Sequence, residues 1–406
     1  MTDSGRVDLI VNGGGLTGLA LACAAAGAGV GVLLVERRPL AETAAAPFDG
    51  RVTAIAQASR RVLEAIGVWA RLAADAQPIL DIRVGERHSA LTVHYDHREV
   101  GALPLGHIVE NRVLRSALLR RVGELEPALR VAAPDRIMGL ERGSAGVELI
   151  LANGGRTRAS LVAAAEGRES QSRAAAGIGI TRWGYDQTGI VATIAHERPH
   201  RGLAVERFFP AGPLAILPMT GNRSSIVWAA ENRLARELIG LDDAAFLDEL
   251  GERFGDDLGT LALAGPRWHY PLSMVQAARY TAPRLALLGD AARAIHPIAG
   301  QGWNLAVRDV AALAELTVDA KRLGLDVGGR AVLARYEQWR RFDSLALIAV
   351  TDGLNRLFAN DLLPLRLARE LGLGMVQRVP PLKRFFMRHA MGLLGDLPRL
   401  MRGQPL

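Results

Sequence analysis

Apolar residues along the chain follow two alternating periods, and the first to appear is that of a buried strand. Residues 7–11 (VDLIV) lead through Asn12 into three glycines. An alanine-rich apolar stretch then predicts a helix over 16–26, and a second strand follows over 31–36. Strand, glycine turn, helix and strand in that order predict a βαβ unit. Helical spacing returns over 56–72, where Val62, Leu63, Ile66 and Trp69 share a face, and again over 111–125. Residues 79–107 between them read as more polar strand.

Short strands are expected over 129–133, 137–142 and 147–151, with Asn153-Gly154-Gly155 as a turn. The segment LVAAAEGRESQSR then reads as another sheet strand ending in a charged turn. Strands over 190–196, 203–209, 214–219 and 224–230 predict a large antiparallel sheet rather than further βαβ units. After Tyr280 the pattern gives a short strand over 285–288, a long helix over 302–323 and two or more helices over about 331–373. Pro380-Pro381 divides these from a final basic segment. The sequence shows no internal repeat and no long low-complexity linker.

Composition narrows the picture modestly. A chain of 406 residues can bury a substantial core in two or three domains. Cys23 is the sole cysteine, so an intrachain disulfide and a multi-cysteine metal site are excluded. No spacing of His, Asp and Glu suggests a metal centre. The uncharged stretch 19–35 is broken by Gly27, Gly29 and Gly31 and ended by Glu36-Arg37-Arg38, which fits a buried helix, turn and strand rather than a membrane span. No basic-then-apolar leader precedes the first strand, so a cytoplasmic location is expected. The formal charge of +7 is concentrated at the end of the chain: Arg366, Arg369, Arg378, Lys383, Arg384, Arg388, Arg399 and Arg402 stand against Glu370 and Asp396. A tail of that kind is a solvated face or a surface drawn to acidic lipid; no nucleic acid is expected.

Two stretches carry chemistry. Gly13-x-Gly15-x-x-Gly18 lies where strand passes to helix: the first glycine permits the tight turn, the second lets backbone approach a pyrophosphate, and the third lets the helix pack on the sheet. Glu36, at the end of the second strand, is placed to accept ribose hydroxyls. Asn12 is unusual at the end of a buried strand and is read as bonding local backbone. The second stretch, LLGDAARAIHPIAGQGWNL, stops an apolar run at Gly289-Asp290 and turns through Pro297, Gly300 and Gly302 into a long helix. By itself it fits an aspartate cap and glycine turn before a core helix.

Taken together, the stretches resemble the single-component FAD-dependent aromatic hydroxylases, flavoprotein monooxygenases, and among them the ubiquinone-biosynthesis branch. The resemblance continues through Arg51 in FDGRVTAIAQASRRVLEAIGVW and Glu110-Asn111-Arg112 in IVENRVLRSALL. It ends in the tail segments TDGLNRLFANDLLPLRLARELGL and PPLKRFFMRHAMGLLGDLPRL. It implies an α/β fold: a Rossmann-like FAD-binding domain, an inserted mixed or antiparallel β-sheet substrate domain, and a C-terminal helical region. The implied division assigns 1–78, 108–179 and 278–323 to the FAD-binding domain, 79–107 and 180–277 to the substrate domain, and 324–406 to the helical region.

The cofactor residues it implies are Gly13, Gly15, Gly18, Glu36, Arg51, Arg112, Gly289, Asp290, Gly300, Gln301, Gly302, Trp303 and Asn304, with Asp290 on the ribityl chain. Pro297, Gly300 and Gly302 would position the flavin ring, with no acid-base residue assigned. A middle Asp-Gly motif for flavin and nicotinamide is matched by Glu166, Gly167 and Arg173. There Glu in place of Asp carries the carboxylate about 1–1.5 Å farther unless the side chain folds back. His296 reads as a satisfied structural histidine or a group tuning the flavin. Tyr185, Phe208, Phe209, Trp228 and Trp268 read as strand core or cavity wall.

The implied reaction uses NAD(P)H and O2 to hydroxylate a polyprenylated phenol or quinol, through a flavin C4a-hydroperoxide. LKRFFMRHAMGLLG is expected to face the inner surface of the cytoplasmic membrane, a biosynthetic protein partner, another subunit or the body of the protein. The competing expectations are a flavin-binding interaction protein without hydroxylase activity, and a flavin oxidoreductase or monooxygenase with another substrate.

Overall fold

A computed structural model describes residues 3–44, 48–86, 92–296, 300–358 and 372–406. Its first sheet has the strand order Thr281–Ala282, Leu285–Leu287, Arg156–Ala164, Asp3–Asn12, Val32–Val35, Leu129–Ala132. Every pairing along that order is parallel except the outermost hairpin. Strands covered on both faces should be continuously apolar, and Val32–Val35 and Leu285–Leu287 are buried at every position. Helices Leu16–Gly27 and Gly302–Arg322 pack together over this sheet. The predicted βαβ opening is present.

The pairing register has a functional consequence. Asn12 lies opposite Val35 and Ala164, and Ala164 lies opposite Leu287. Four strands therefore end level, and Gly13, Glu36, Ala165-Glu166 and Leu288-Gly289-Asp290 all emerge at one carboxyl edge. In an open parallel sheet that edge is where ligands bind.

A second sheet has the order Arg293–Ala294, Trp268–Ala277, Ile180–His196, Arg223–Glu231, Leu214–Met219, Leu203–Phe208, Asp81–Glu86, Thr92–Asp96. It is mixed rather than wholly antiparallel, because Leu203–Phe208 runs parallel to Asp81–Glu86. One face is covered by helices Asn232–Gly240 and Asp243–Phe254, which sequence patterning did not single out. The second begins at an Asp242 cap whose carboxylate accepts from the Ala245 amide at 2.8 Å. Strand Ile180–His196 starts ten positions earlier than expected, through a mixed stretch of exposed and partly buried residues with no regular apolar alternation. A small sheet of Val52–Ala56, Gly106–Glu110 and Gln77–Ile79 joins the two larger ones.

Toward the C-terminus, Arg330–Phe358 is a helix of 29 residues within the range where two or more were expected, and residues 372–378 are helical again. The rest of that range, 359–371, lies outside the described residues, as do Arg366 and Arg369. Pro380 opens helix Pro380–Ala390, where its missing N–H costs no hydrogen bond. Among the described residues no helix is long and apolar enough to cross a membrane, and no cluster of His, Cys, Asp and Glu could hold a metal ion. Cys23 is buried, and burial pushes its thiol up to about 12.

Candidate cofactor and active site

The glycine turn has the shape of a cradle. Gly13 has φ of +112°, and a β-carbon there would lie 2.6 Å from the Ala165 carbonyl oxygen; one on Gly18 would overlap the Gly13 carbonyl oxygen. Gly15 is different, since the space around its missing β-carbon is open. Gly15 also precedes the first turn of helix Leu16–Gly27 and supplies no side-chain cap. The chain is therefore tight where the turn must close and bare where helix amides point outward, as a pyrophosphate requires.

Glu36 stands over this turn, accepting from the Gly14 amide at 2.6 Å and the Arg38 amide at 3.1 Å. Asn12 does not bond local backbone as read from sequence; its Nδ2 donates to Ser172 Oγ at 3.0 Å. The reason lies in Glu166, whose carboxylate folds back to accept from Ser170 Oγ at 2.7 Å and the Ser172 amide at 3.2 Å. The extra methylene is absorbed at the start of the short helix Gln171–Ala175, which places Ser172 beside Asn12. Arg173 is buried, donating to the carbonyls of Ala291 at 2.9 Å and Arg168 at 2.7 Å. It ties the Glu166-Gly167 turn to the Gly289-Asp290 turn.

Arg51 and Arg112 flank paired ends of the small sheet, and the Asn111 amide donates to the Arg51 carbonyl at 3.0 Å. Arg51 bonds Asp49 at 2.8 Å, while Arg112 bonds Glu110 at 2.6 Å with its guanidinium 5.3 Å from the Phe48 ring centre. Both side chains remain largely exposed. Arg115, one turn beyond Arg112 and not singled out from sequence, reaches the Gly14 carbonyl at 3.4 Å. That contact connects the arginine pair to the glycine cradle.

At the opposite wall Asp290 lies 3.5 Å from the Arg168 guanidinium. It sits in a recess: half its side-chain surface is open, yet the surrounding atoms withhold enough solvent to push the carboxyl above its ordinary range, against the pull of Arg168 and Arg293. Gly300 has φ of +58°, and a β-carbon there would sit 3.0 Å from Ala54 Cβ. Gly302 is exposed with open space beside it, and Gln301 is half-buried between them. Pro297 lies outside the described residues. The Trp303 indole N–H is buried without a hydrogen-bond partner among the described residues.

Asn304 faces inward. Its Oδ1 accepts from the Ala56 amide at 2.9 Å and Ser59 Oγ at 2.8 Å, and its Nδ2 donates to the Ala54 carbonyl at 3.0 Å. It clamps the long helix to strand Val52–Ala56, holding the Gly300 turn against Ala54. A larger clamp lies behind it: Asp309 accepts from Arg293 at 2.7 and 3.0 Å, from Arg340 at 2.8 Å and from the Gly289 amide at 3.0 Å. Burial opposes charge on Asp309, but the two guanidinium groups hold its carboxyl below the ordinary range. The available signal is one Arg-Asp pair, Arg308-Asp309, set in the mostly apolar first half of the helix.

His296 is buried, with Nε2 3.2 Å from Gln187 Oε1 and its ring edge-on to Tyr185 at 4.9 Å. Trp228 and Phe209 belong to the core under the two covering helices, and Phe208 is buried. Trp268 instead packs edge-on against Phe48 at 5.9 Å, on the side of the arginine pair.

The cradle, the level strand ends and the recessed carboxylate fit a dinucleotide laid along one sheet edge. A family model described as FAD binding domain matches residues 6–342. Ubiquinone hydroxylase UbiL of Rhodospirillum rubrum is 52% identical over 402 residues, covering 98% of this chain and 93% of that protein. 3-Demethoxyubiquinol 3-hydroxylase of Escherichia coli is 36% identical over 390 residues, covering 95% and 98%. Among solved structures, p-nitrophenol 4-monooxygenase PnpA of Pseudomonas putida superposes with a TM-score of 0.80 at 18% identity, covering 97% of this chain and all of that one, which shows a shared fold.

Proposed function

The chain belongs to the FAD-binding-domain family of flavin-dependent aromatic hydroxylases, and from that premise we propose that it hydroxylates the ring of a polyprenylated phenol or quinol on the route to ubiquinone. The observation that carries this reading is the 52% identity to a ubiquinone hydroxylase over almost the whole of both chains. The proposed co-substrates are NAD(P)H and O2. Bound FAD supplies the redox chemistry and oxygen activation; the chain positions it and keeps water away.

In this reading the Gly13, Gly15 and Gly18 cradle takes the pyrophosphate and Glu36 the adenosine ribose. Arg51, Arg112 and Arg115 close over the same end. Gly289 and Asp290 take the ribityl hydroxyls, for which a carboxylate is a good acceptor. Pro297, Gly300, Gln301, Gly302 and Trp303 border the ring, while Asn304 fixes that turn from behind. Glu166 and Gly167 shape the neighbouring wall, with Arg173 as its tether. The domain division follows: the parallel sheet serves FAD and the large mixed sheet serves substrate.

A prenyl tail favours membrane, and helix Pro380–Ala390 presents Phe385 and Phe386 at 52% and 40% exposure beside Arg384 and Arg388. That face is the proposed contact with the cytoplasmic leaflet, or with other ubiquinone-synthesising proteins there.

Purified protein should carry flavin, with absorption near roughly 370 and 450 nm. Deletion in the native host, followed by mass spectrometry of quinones, should accumulate an underhydroxylated prenyl-phenol; a normal quinone pool refutes the pathway role. Product labelled from 18O2 separates a hydroxylase from an oxidoreductase or a flavin-binding protein without turnover.

A further inference from the structure

The register of the large sheet spells out one lateral row: Trp268, Val191, Val227, Ala215, Glu206 and Val84 are successive cross-strand partners. Partners in register share a face. The opposite face belongs to Ile190, Val205 and Trp228, which pack under the covering helices. Two observations orient the Glu206 face. Ala204, two residues along the same strand, packs in one apolar cluster with Ala54, the residue against which Gly300 closes. Trp268, at the end of the row, packs on Phe48. The row is thus a floor running beneath the proposed ring end of the cofactor site.

Glu206 is the row's single ionisable group. Its carboxylate has no hydrogen-bond or ion-pair partner among the described residues, and Val227, Ala215, Glu206 and Val84 each keep some accessible surface. Burial pushes its carboxyl up to about 7, with no charged neighbour contributing. A lone carboxyl in apolar surroundings is costly to folding, and such groups concentrate where chemistry needs them.

Resting on the hydroxylase reading, we propose that Glu206 accepts the ring hydroxyl of the phenolic substrate and takes its proton. The phenol O–H bond breaks, its proton passes to a Glu206 oxygen, and the bonding pair stays on the phenolate, enriching the ring for attack by electrophilic oxygen. Water takes the proton from Glu206 after product leaves. A base of this strength suits a proton held by a phenol near neutral pH.

The test uses the FAD-loaded full chain with NAD(P)H, O2 and 2-farnesylphenol in detergent micelles. E206Q should retain flavin and bind the phenol, seen as a change in flavin absorbance, while product formation falls at least about 100-fold. E206L should lose product as well, bind the phenol at least tenfold more weakly and melt above the wild type, which a structural role would not produce. E206Q forming product within threefold of wild type overturns the proposal, as does E206L melting lower with activity that follows its folded fraction. A wild type that binds the phenol but hydroxylates none refutes the function above while the binding readout still decides Glu206: tenfold weaker binding by E206L sustains it as the hydroxyl's partner, and unchanged binding overturns it. A wild type that binds no phenol overturns both.

Discussion

Gly18 leaves no room for a side chain, because its missing β-carbon would overlap the Gly13 carbonyl oxygen. G18A must therefore push helix Leu16–Gly27 off the sheet. The expected cost is about 1–3 kcal/mol, with most bound flavin lost; the ratio of flavin to protein absorbance and a urea titration measure both. Glu206 makes a different prediction, through pH. Its folded-state carboxyl titrates near 7 against an ordinary value of 4.5, so the unfolded chain releases the proton first as pH rises. Wild-type stability is unpenalised below about 4.5 and declines through 7, and the melting advantage of E206L should widen over that window. At this scale the tight glycine turns were legible because their demands are local. Glu206, Arg115 and the Asn12–Ser172 bond were not, since each depends on which distant strand or helix lies alongside.

The long helix Gly302–Arg322 is held by a buried charge cluster in addition to its apolar packing. Asp309 lies fully buried between Arg293 and Arg340, and also anchors the Gly289 amide. D309N would leave two guanidinium groups short of a counter-charge, with Asp343 still beside Arg340 at 2.8 Å. A loss of about 3–5 kcal/mol is expected, read by chemical denaturation, with weaker flavin retention because the Asp290 turn loses its anchor. Helix Pro380–Ala390 contrasts with it. F385S/F386S should abolish sedimentation with phosphatidylglycerol vesicles while leaving melting temperature and flavin content unchanged; binding by wild type should weaken as salt is raised. Length made the long helices legible, since their apolar patterns run well past what a strand can hold. The helices at 232–254 are less legible because each is short, 9 and 12 residues, and its apolar face gains meaning only against the sheet it covers.

At the scale of the molecule, the parallel pairing was announced by apolar runs, but its order was not, because a strand's sequence does not name its neighbour. Asp3–Asn12 pairs with Arg156–Ala164, which pairs in turn with Leu285–Leu287. Flavin binding only the assembled protein should raise the unfolding free energy by about 2.7 kcal/mol at a hundredfold excess over Kd, measured by melting with and without added FAD. The tail is fastened back as well: the Arg308 guanidinium donates to the Gly392 and Leu394 carbonyls at 3.2 Å, and the Arg399 backbone amide donates to Glu315 Oε2 at 2.6 Å. During synthesis, the glycine cradle emerges from the ribosome first, but strand Leu285–Leu287, which leads into the Asp290 turn, and the helix that seats that turn arrive only after two-thirds of the chain has been made. A nascent chain stalled before residue 285 therefore lacks both the Gly289-Asp290 turn and the helix whose Asp309 anchors it, and should retain no flavin.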